Sequence, residues 1–393
     1  MIDPEPQGRS ELPPRTEESL RQRQRRGRLR VRSAADFRRL VVENGLAEAY
    51  HATDVVAAAN AEFTDQASLH LALGPTDPPI RFRETHLGGV KALTGGGGGE
   101  LVIPIGGGLG EGQRRGGGEV LAELLQGRDV EFNAAGAVTP MQPRREIHTM
   151  INLERIGTGR LLLHRGVGEN GIVAVSSAEG VLRSPYGPLL GPHGNALYTC
   201  GGADSIGLAM PGLSLLGPGS PVMVGGGIGW VIGCGTSHQP GPRRLPSGHA
   251  RTPGAVAAVC VDLLPLRPQW VRSCFFEGQG SALLVAIAAP IPLISGAVAA
   301  QAAVGDDQLE APVLDLSIPR RIKPNLGRVT YRHLRSGRIR LEGRTLSAGP
   351  AHSPRLAASM GAELIRWLEE DRFPLCLPLE PLSPRPALIP LDS

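Results

Sequence analysis

Glycine in this chain comes in blocks, and the blocks limit what can fold between them. Runs at Gly95–Gly99, Gly106–Gly108, Gly116–Gly118 and Gly225–Gly227 punctuate short apolar segments. Those segments include Leu101–Ile105, Ile172–Val175, Pro221–Val224, Ile228–Ile232 and Gly254–Val261. A glycine inside a helix costs about 1 kcal/mol relative to alanine, whereas short strands tolerate glycine at their boundaries. The stretch from about Ala52 to Arg320 therefore reads as strand-rich. Collagen is excluded because the glycines cluster and do not recur every third residue.

Helical signals flank this middle. Glu17–Arg26 has helix-forming composition and stops at Gly27, and Leu29–Arg32 alternates like a short strand. Ser33 is placed to cap a helix over Ala34–Glu43, which Asn44-Gly45 ends. Glu119–Gln126 and Ser295–Val304 also suit helices. Beyond Arg320-Arg321 the segment Arg338–Glu342 alternates as a strand. Pro354–Asp371 then sets Leu356, Met360, Leu364 and Leu368 on one helical face. The expected fold is α+β: a glycine-rich, strand-dominated mixed core with flanking helices and a small C-terminal β-α module. The boundaries are a loose lead at 1–16, a core at 17–320, the module at 321–381 and a Pro-rich tail at 382–393.

Composition excludes several function classes. Aromatics are only 4% of the chain, so a base-stacking surface is not expected. Seven arginines fall between Arg21 and Arg32, yet the formal charge is only +4. A solvated helix face and an edge strand explain that run without nucleic acid. Five cysteines lie far apart with no C-x-x-C pair, which argues for a reducing, cytoplasmic setting and against a disulfide framework or a thiolate zinc site. Met1–Pro14 is polar and lacks the apolar stretch of a signal peptide. Gln279–Val304 carries no charge and exceeds the about 20 residues that cross a bilayer. It is broken by Pro290, Pro292 and Gly296 and is rich in alanine, so it reads as buried within a soluble protein and not as a membrane span.

Motifs sort into weak and distinctive. Gly166-Val-Gly-Glu-Asn-Gly171 matches G-x-G-x-x-G, but strand-like sequence follows it where a dinucleotide site needs a helix, so a hairpin turn is expected. Gly225-Gly-Gly-Ile-Gly-Trp-Val-Ile-Gly-Cys-Gly-Thr-Ser-His238 differs in kind. Glycine this dense in an apolar strand implies close approach of another backbone or of a ligand. Cys234 and His238 suit a nucleophile–base pair; the competing reading is a close-packed sheet crossing with a surface histidine. Asp77-Pro-Pro-Ile-Arg81 and Pro143-Arg-Arg-Glu-Ile147 place charge beside rigid backbone. Arg144 or Arg145 suits a bidentate grip on a carboxylate, and a loop salt bridge to Glu146 is the alternative.

Several of these blocks, in order, resemble the homocysteine-biosynthesis protein family, whose assigned activity is L-aspartate-semialdehyde sulfurtransferase. They are Asp77-Pro-Pro-Ile, Pro143-Arg-Arg-Glu-Ile, Gly187-Pro-Leu-Leu, Gly194-Asn195, Gly225–Val231, Gly235-Thr236 and His238, followed by Ala288-Ala-Pro-Ile-Pro292 and the Val304–Val313 segment. With the helix–Gly–strand start and the region up to Pro381, the resemblance spans residues 17–381. It implies an enzyme that moves sulfur onto the aldehyde carbon of aspartate semialdehyde and so makes homocysteine. It implies no bound cofactor, a sulfide or persulfide donor, an external reductant and a ferredoxin-type iron–sulfur partner protein. Neither nucleic acid nor membrane is an expected partner.

On this resemblance Cys234, Thr236 and His238 are the catalytic candidates. Substrate contacts are expected from Arg144, Arg145, Asp77, Asn195, Gly225, Gly226, Gly227 and Gly229. The chain departs from the family where the family's sulfur chemistry resides. Ungapped counting puts Asp65 at the first characteristic cysteine and Met141 at the second. Neither side chain forms a persulfide, which opens the alternative of a non-catalytic or repurposed relative that binds a small carboxylate or a partner protein.

Overall fold

In the computed structural model, which describes residues 12–95, 99–108 and 114–391, the apolar runs between glycine blocks are strands. Most of the expected lead at 1–16 and the centre of the Gly95–Gly99 block lie outside the described residues. The fold is α+β and dominated by strands. Two sheets carry it. Among the described residues the larger has fourteen strands and the smaller six.

The larger sheet begins at the edge strand Val31–Ser33, which runs parallel to Val55–Thr64. Next come Gly280–Pro292, the hairpin Pro221–Val224 and Gly227–Cys234, and then Val256–Asp262, Ile156–Gly168 and Ala67–Leu73. The uncharged segment is thus the long strand Gly280–Pro292, buried along nearly its whole length. It pairs antiparallel with Val55–Thr64 from Leu283–Thr64 to Pro292–Val55. Its prolines are tolerated because Pro221–Val224 pairs with it only at Ile287 and Ala288, leaving one edge open at Pro290 and Pro292. No helix among the described residues is long and apolar enough to cross a membrane.

Helix Pro354–Glu369 starts where the Ser353 hydroxyl accepts the Leu356 N–H, and it lies across this strand pair. Leu356, Met360, Leu364 and Leu368 are its buried stripe. Each such side chain contributes about 1.5–3 kcal/mol when fully buried. Residues 321–381 divide between the two layers: Asn325–Thr330, Arg338–Leu341 and Arg344–Pro350 complete the smaller sheet, while the helix covers the larger one.

The arginine run is tied inward. Arg23 and Arg30 both reach the buried Asp54, and Arg30 does so through Nε–Oδ2 at 3.1 Å and Nη2–Oδ1 at 3.0 Å. Burial pushes the Asp54 carboxyl up, but the Arg30 hydrogen bonds and neighbouring cations outweigh it and hold it below the usual range. Arg32 donates to Thr53 Oγ1 and Arg21 pairs with Glu17. Arg23, Arg30 and Arg32 therefore pin the first helix and edge strand to the sheet.

Candidate functional site

A cavity of about 280 Å3 opens between the two sheets. Strand Val55–Thr64 and the turn after it supply Asn60, Glu62 and Asp65. Arg165 arrives by a different device. Val259 pairs with Leu163 but Ala257 pairs with Val167, so the strand Ile156–Gly168 bulges over His164–Gly166. A bulge re-aims side chains locally, and here it leaves Arg165 lining the cavity. Tyr186, Thr199 and Ser237 add further polar groups to the lining.

The electrostatics are unusual for a strand-walled space. Asn60 Nδ2 donates to Glu62 Oε1 at 2.6 Å, and Asn60 Oδ1 accepts the Ile206 N–H at 2.8 Å. Burial raises the Glu62 carboxyl, and the Asn60 bond and the charge of Arg165 only partly oppose it. Glu62 thus holds a proton more readily than an ordinary glutamate. Burial likewise raises the Tyr186 phenol. Arg165 makes no salt bridge among the described residues, so one uncommitted cation shares the cavity with a protonatable acid and a phenol. Shifted proton affinities in a cleft point to a candidate functional site.

The wall is rigid. Asn170 Nδ2 donates to the Ala250 and Glu310 carbonyls, and its Oδ1 accepts from Gly171 N–H and Tyr331 O–H. Glu169, fully buried, pairs with Arg244 and accepts the Gly212 and Ala255 N–H groups. The G-x-G-x-x-G segment is thus no hairpin turn. The strand before it lies in the large sheet, and Val173–Val175 after it pairs with Val313 and Tyr198 in the small one. Gly171 stands there because a Cβ would come within 2.6 Å of Cys200 Cβ.

The glycine-dense hairpin lies elsewhere. Gly225 and Gly226 form its two-residue turn, with φ of 56° and 95°, closed by the Val224–Gly227 pair. A Cβ on Gly225 would sit 2.4 Å from Val271, one on Gly226 2.8 Å from Trp270, and one on Gly227 2.7 Å from Pro265. Gly229 is pressed by Val224 and Val259. Packing accounts for all four, and none of them lines the cavity.

Nor does the structure pair Cys234 with His238. Cys234 faces the C-terminal tail in a shallow pocket with Pro381, Leu382 and Ser383. His238 is fully buried, contrary to the expected surface position. Its Nδ1 accepts the Val256 N–H at 3.0 Å, so Nε2 carries the proton and donates to the Ser383 carbonyl at 2.8 Å. Both ring nitrogens are thus occupied, Nδ1 on the sheet strand at Val256 and Nε2 on the tail at Ser383. Thr236 is exposed and its N–H donates to the His164 carbonyl. Ser237, between them, takes φ of 64° and is the member of the trio that lines the cavity.

The remaining residues divide similarly. Arg144 and Asp77 do meet, but Arg144 Nη1 approaches the Asp77 carbonyl at 3.5 Å while Nε donates to the Glu146 carbonyl at 3.1 Å. Arg144 is thus a tie between loops through backbone carbonyls, and Arg145 and Asp77 are exposed. Asn195 clamps the 187–191 strand, accepting the Leu190 N–H and donating to the Pro188 carbonyl. None of these lines the cavity. Met141 is 80% exposed, whereas Asp65, the other departure from the family pattern, is at the cavity.

No cysteine lines this cavity. Cys200 sits behind its wall, bonded to Ser205 at 3.2 Å, with its thiol pushed up to about 11 by burial and by the charge of Glu62. Burial pushes Cys274 up to about 12. Sequence reasoning missed Glu62, Arg165, Tyr186 and Ser237. The available signal was charge inside apolar strand sequence: Glu62 after Ala57-Ala-Ala-Asn-Ala61, and Arg165 after Leu161-Leu-Leu-His164.

Residues 29–375 match the family described as "Homocysteine biosynthesis enzyme, sulfur-incorporation". An L-aspartate semialdehyde sulfurtransferase of Methanosarcina acetivorans is 29% identical over 351 residues, covering 87% of this chain and 67% of that protein. One from Methanocaldococcus jannaschii is 26% identical over 381 residues, covering 91% of this chain and 71% of that protein. No solved structure matches.

Proposed function

This chain belongs to the homocysteine biosynthesis, sulfur-incorporation family, and from that premise we propose that it transfers sulfur to aspartate semialdehyde in the cavity between its sheets. The observation that carries the assignment is Arg165, a cation without a salt bridge among the described residues, set beside a glutamate that favours its protonated form. The substrate has a carboxylate, an ammonium and an aldehyde. Arg165 matches the carboxylate and Asp65 the ammonium. Glu62 or the Tyr186 hydroxyl supplies a proton to the aldehyde oxygen as sulfur adds to carbon.

In the net change the aldehyde, hydrogen sulfide, two electrons and two protons give the thiol and one water. A C–S bond forms, the carbonyl oxygen leaves as water and the carbon is reduced. The electrons come from an external one-electron carrier of the iron–sulfur protein class, and sulfur arrives as sulfide or on an external persulfide, which takes two further electrons and two protons from the same supply and leaves as the thiol. A cytoplasmic setting suits both. Four of the chain's five cysteines are poor carriers, because burial raises Cys200, Cys260, Cys274 and Cys376 away from the reactive thiolate. Both relatives carry a transferase name, which does not favour the non-catalytic alternative.

Purified protein supplied with aspartate semialdehyde, sulfide and a low-potential reductant should form homocysteine, measured by chromatography. Absence of product with sulfide and with persulfide donors would sink the proposal.

A further inference from the structure

The turn between strands Val55–Thr64 and Ala67–Leu73 carries Gln66 beside Asp65, and Gln66 lines the cavity between the sheets. Its backbone closes the turn. The Gln66 N–H donates to Thr64 Oγ1 at 3.2 Å, and the Gln66 carbonyl accepts the His164 N–H at 2.9 Å. The side chain plays no such part. Its Oε1 is buried and has no hydrogen-bond partner among the described residues. An acceptor buried without a partner is costly, and a ligand that brings a donor removes that cost.

The place of this acceptor narrows the donor. Gln66 lies across the strand pair from His164, the residue before Arg165, so the acceptor and the uncommitted cation of the cavity sit at neighbouring positions. An α-amino acid carries its carboxylate and its ammonium on one carbon, so it needs an anion-binding and a cation-binding group side by side. A neutral amide also suits Arg165 better than an acid would. It leaves the guanidinium unpaired for a carboxylate, whereas a glutamate at 66 would compete for it. Asp65 is exposed, where water and salt weaken its pull on an ammonium. The buried amide oxygen is the better discriminator between a ligand with an N–H donor and one without.

We propose that Gln66 selects an aldehyde that is also an α-amino acid. Its Oε1 accepts from the α-ammonium while Arg165 holds the α-carboxylate, which leaves the aldehyde to Glu62 and Tyr186. The assignment rests on the sulfur-transfer reading of this cavity and adds the residue that decides between aldehydes differing only at the α-carbon.

The test compares L-aspartate semialdehyde with succinate semialdehyde, which keeps the carboxylate and the aldehyde but lacks the amine. Both are titrated calorimetrically into the full chain without sulfide or reductant. The parent chain should bind the amino aldehyde about 10-fold more tightly, the low end for a hydrogen bond to a charged group. Gln66→Leu should weaken the amino aldehyde alone and bring the two affinities within about 3-fold, the scale left to an exposed ion pair such as that with Asp65. Gln66→Met gives the same comparison if the melting curve of the leucine variant shows misfolding. Equal affinities in the parent chain, a preference that survives in a folded variant, or equal weakening of both aldehydes would overturn the Gln66 assignment. Sulfur transfer would still stand if the parent chain forms homocysteine. The expected preference without homocysteine formation would overturn sulfur transfer alone, and binding of neither aldehyde would overturn both.

Discussion

The hairpin Pro221–Cys234 and the cavity between the sheets are opposites in how sequence relates to chemistry. The hairpin is the most distinctive stretch of the chain, yet its glycines answer to Val271, Trp270 and Pro265 pressing on the turn. The cavity is built from unremarkable sequence, yet it gathers Glu62, Arg165 and Tyr186, two of them with raised proton affinity. Dense motif thus marks tight packing here, and the candidate site is marked by shifted titration inside a cleft. Stability should respond to changes in the hairpin and turnover to changes in the cavity.

The largest expected effect is on the hairpin. Gly225→Val adds a branched side chain at φ of 56° and drives it into Val271, at a combined cost of about 3–5 kcal/mol in stability. Thermal melting should fall sharply, while kcat/KM per folded molecule stays unchanged. A selective loss of turnover in protein of normal stability would break the comparison.

Next comes a pH effect at His352, which lies outside the cavity lining, against Tyr198 with Arg335 nearby and Glu62 bridged to its backbone. Its folded value of about 4 lies below the ordinary 6.5. Between those values the unfolded chain binds more protons, so His352 stabilises fully above pH 6.5 and loses that contribution as pH falls toward 4. The loss amounts to about 3 kcal/mol. Asp54, held below the carboxylate range, adds further loss in acid. Denaturant melts from pH 7 to 4 should show a shallower decline in His352→Phe than in the parent chain; equal slopes would remove His352 from the account.

Arg165→Met should lower kcat/KM for aspartate semialdehyde by about 10- to 100-fold, or 1.5–3 kcal/mol, the range for a hydrogen bond to a charged group. Melting should hardly move, because Arg165 makes no salt bridge among the described residues. Steady-state rates with substrate varied at fixed sulfide check this. A change confined to the sulfide dependence would reassign Arg165 from substrate carboxylate to sulfur donor.

Elements were legible where periodicity and caps agree. Ser33 and Ser353 cap their helices, and the Leu356, Met360, Leu364 and Leu368 stripe is buried. Strand order was not legible, since Gly280–Pro292 reaches back more than two hundred residues to pair with Val55–Thr64 and no local pattern encodes that register. The cavity was illegible for a related reason. Its polar groups come from separate strands, and Arg165 is aimed by a bulge that depends on pairing with Val256–Asp262. His238 misled because a buried histidine that holds a tail and a catalytic one present the same letter. Its role follows only from Ser383 lying 2.8 Å from Nε2.

The smallest expected effect is the sharpest test of the division. Cys234 is the only cysteine within the glycine-dense block that resembles the family, which makes it the natural sulfur carrier on sequence grounds. Its position argues otherwise. It faces Pro381–Ser383 on the tail side, and the histidine expected to act as its base is committed to Val256 and Ser383. A carrier must present its terminal sulfur to the aldehyde carbon, and that carbon would sit among Glu62, Arg165 and Tyr186, where no cysteine lines the wall. Cys234→Ser should therefore change homocysteine formation by less than about 2-fold, the scale of a change that touches no reacting atom. Mass spectrometry after treatment with a low-molecular-weight persulfide, which passes its outer sulfur to a thiol and leaves as the thiol, provides the companion measurement. A persulfide on Cys234 that disappears when aspartate semialdehyde is added, together with loss of activity in Cys234→Ser, would move the chemistry back to the hairpin.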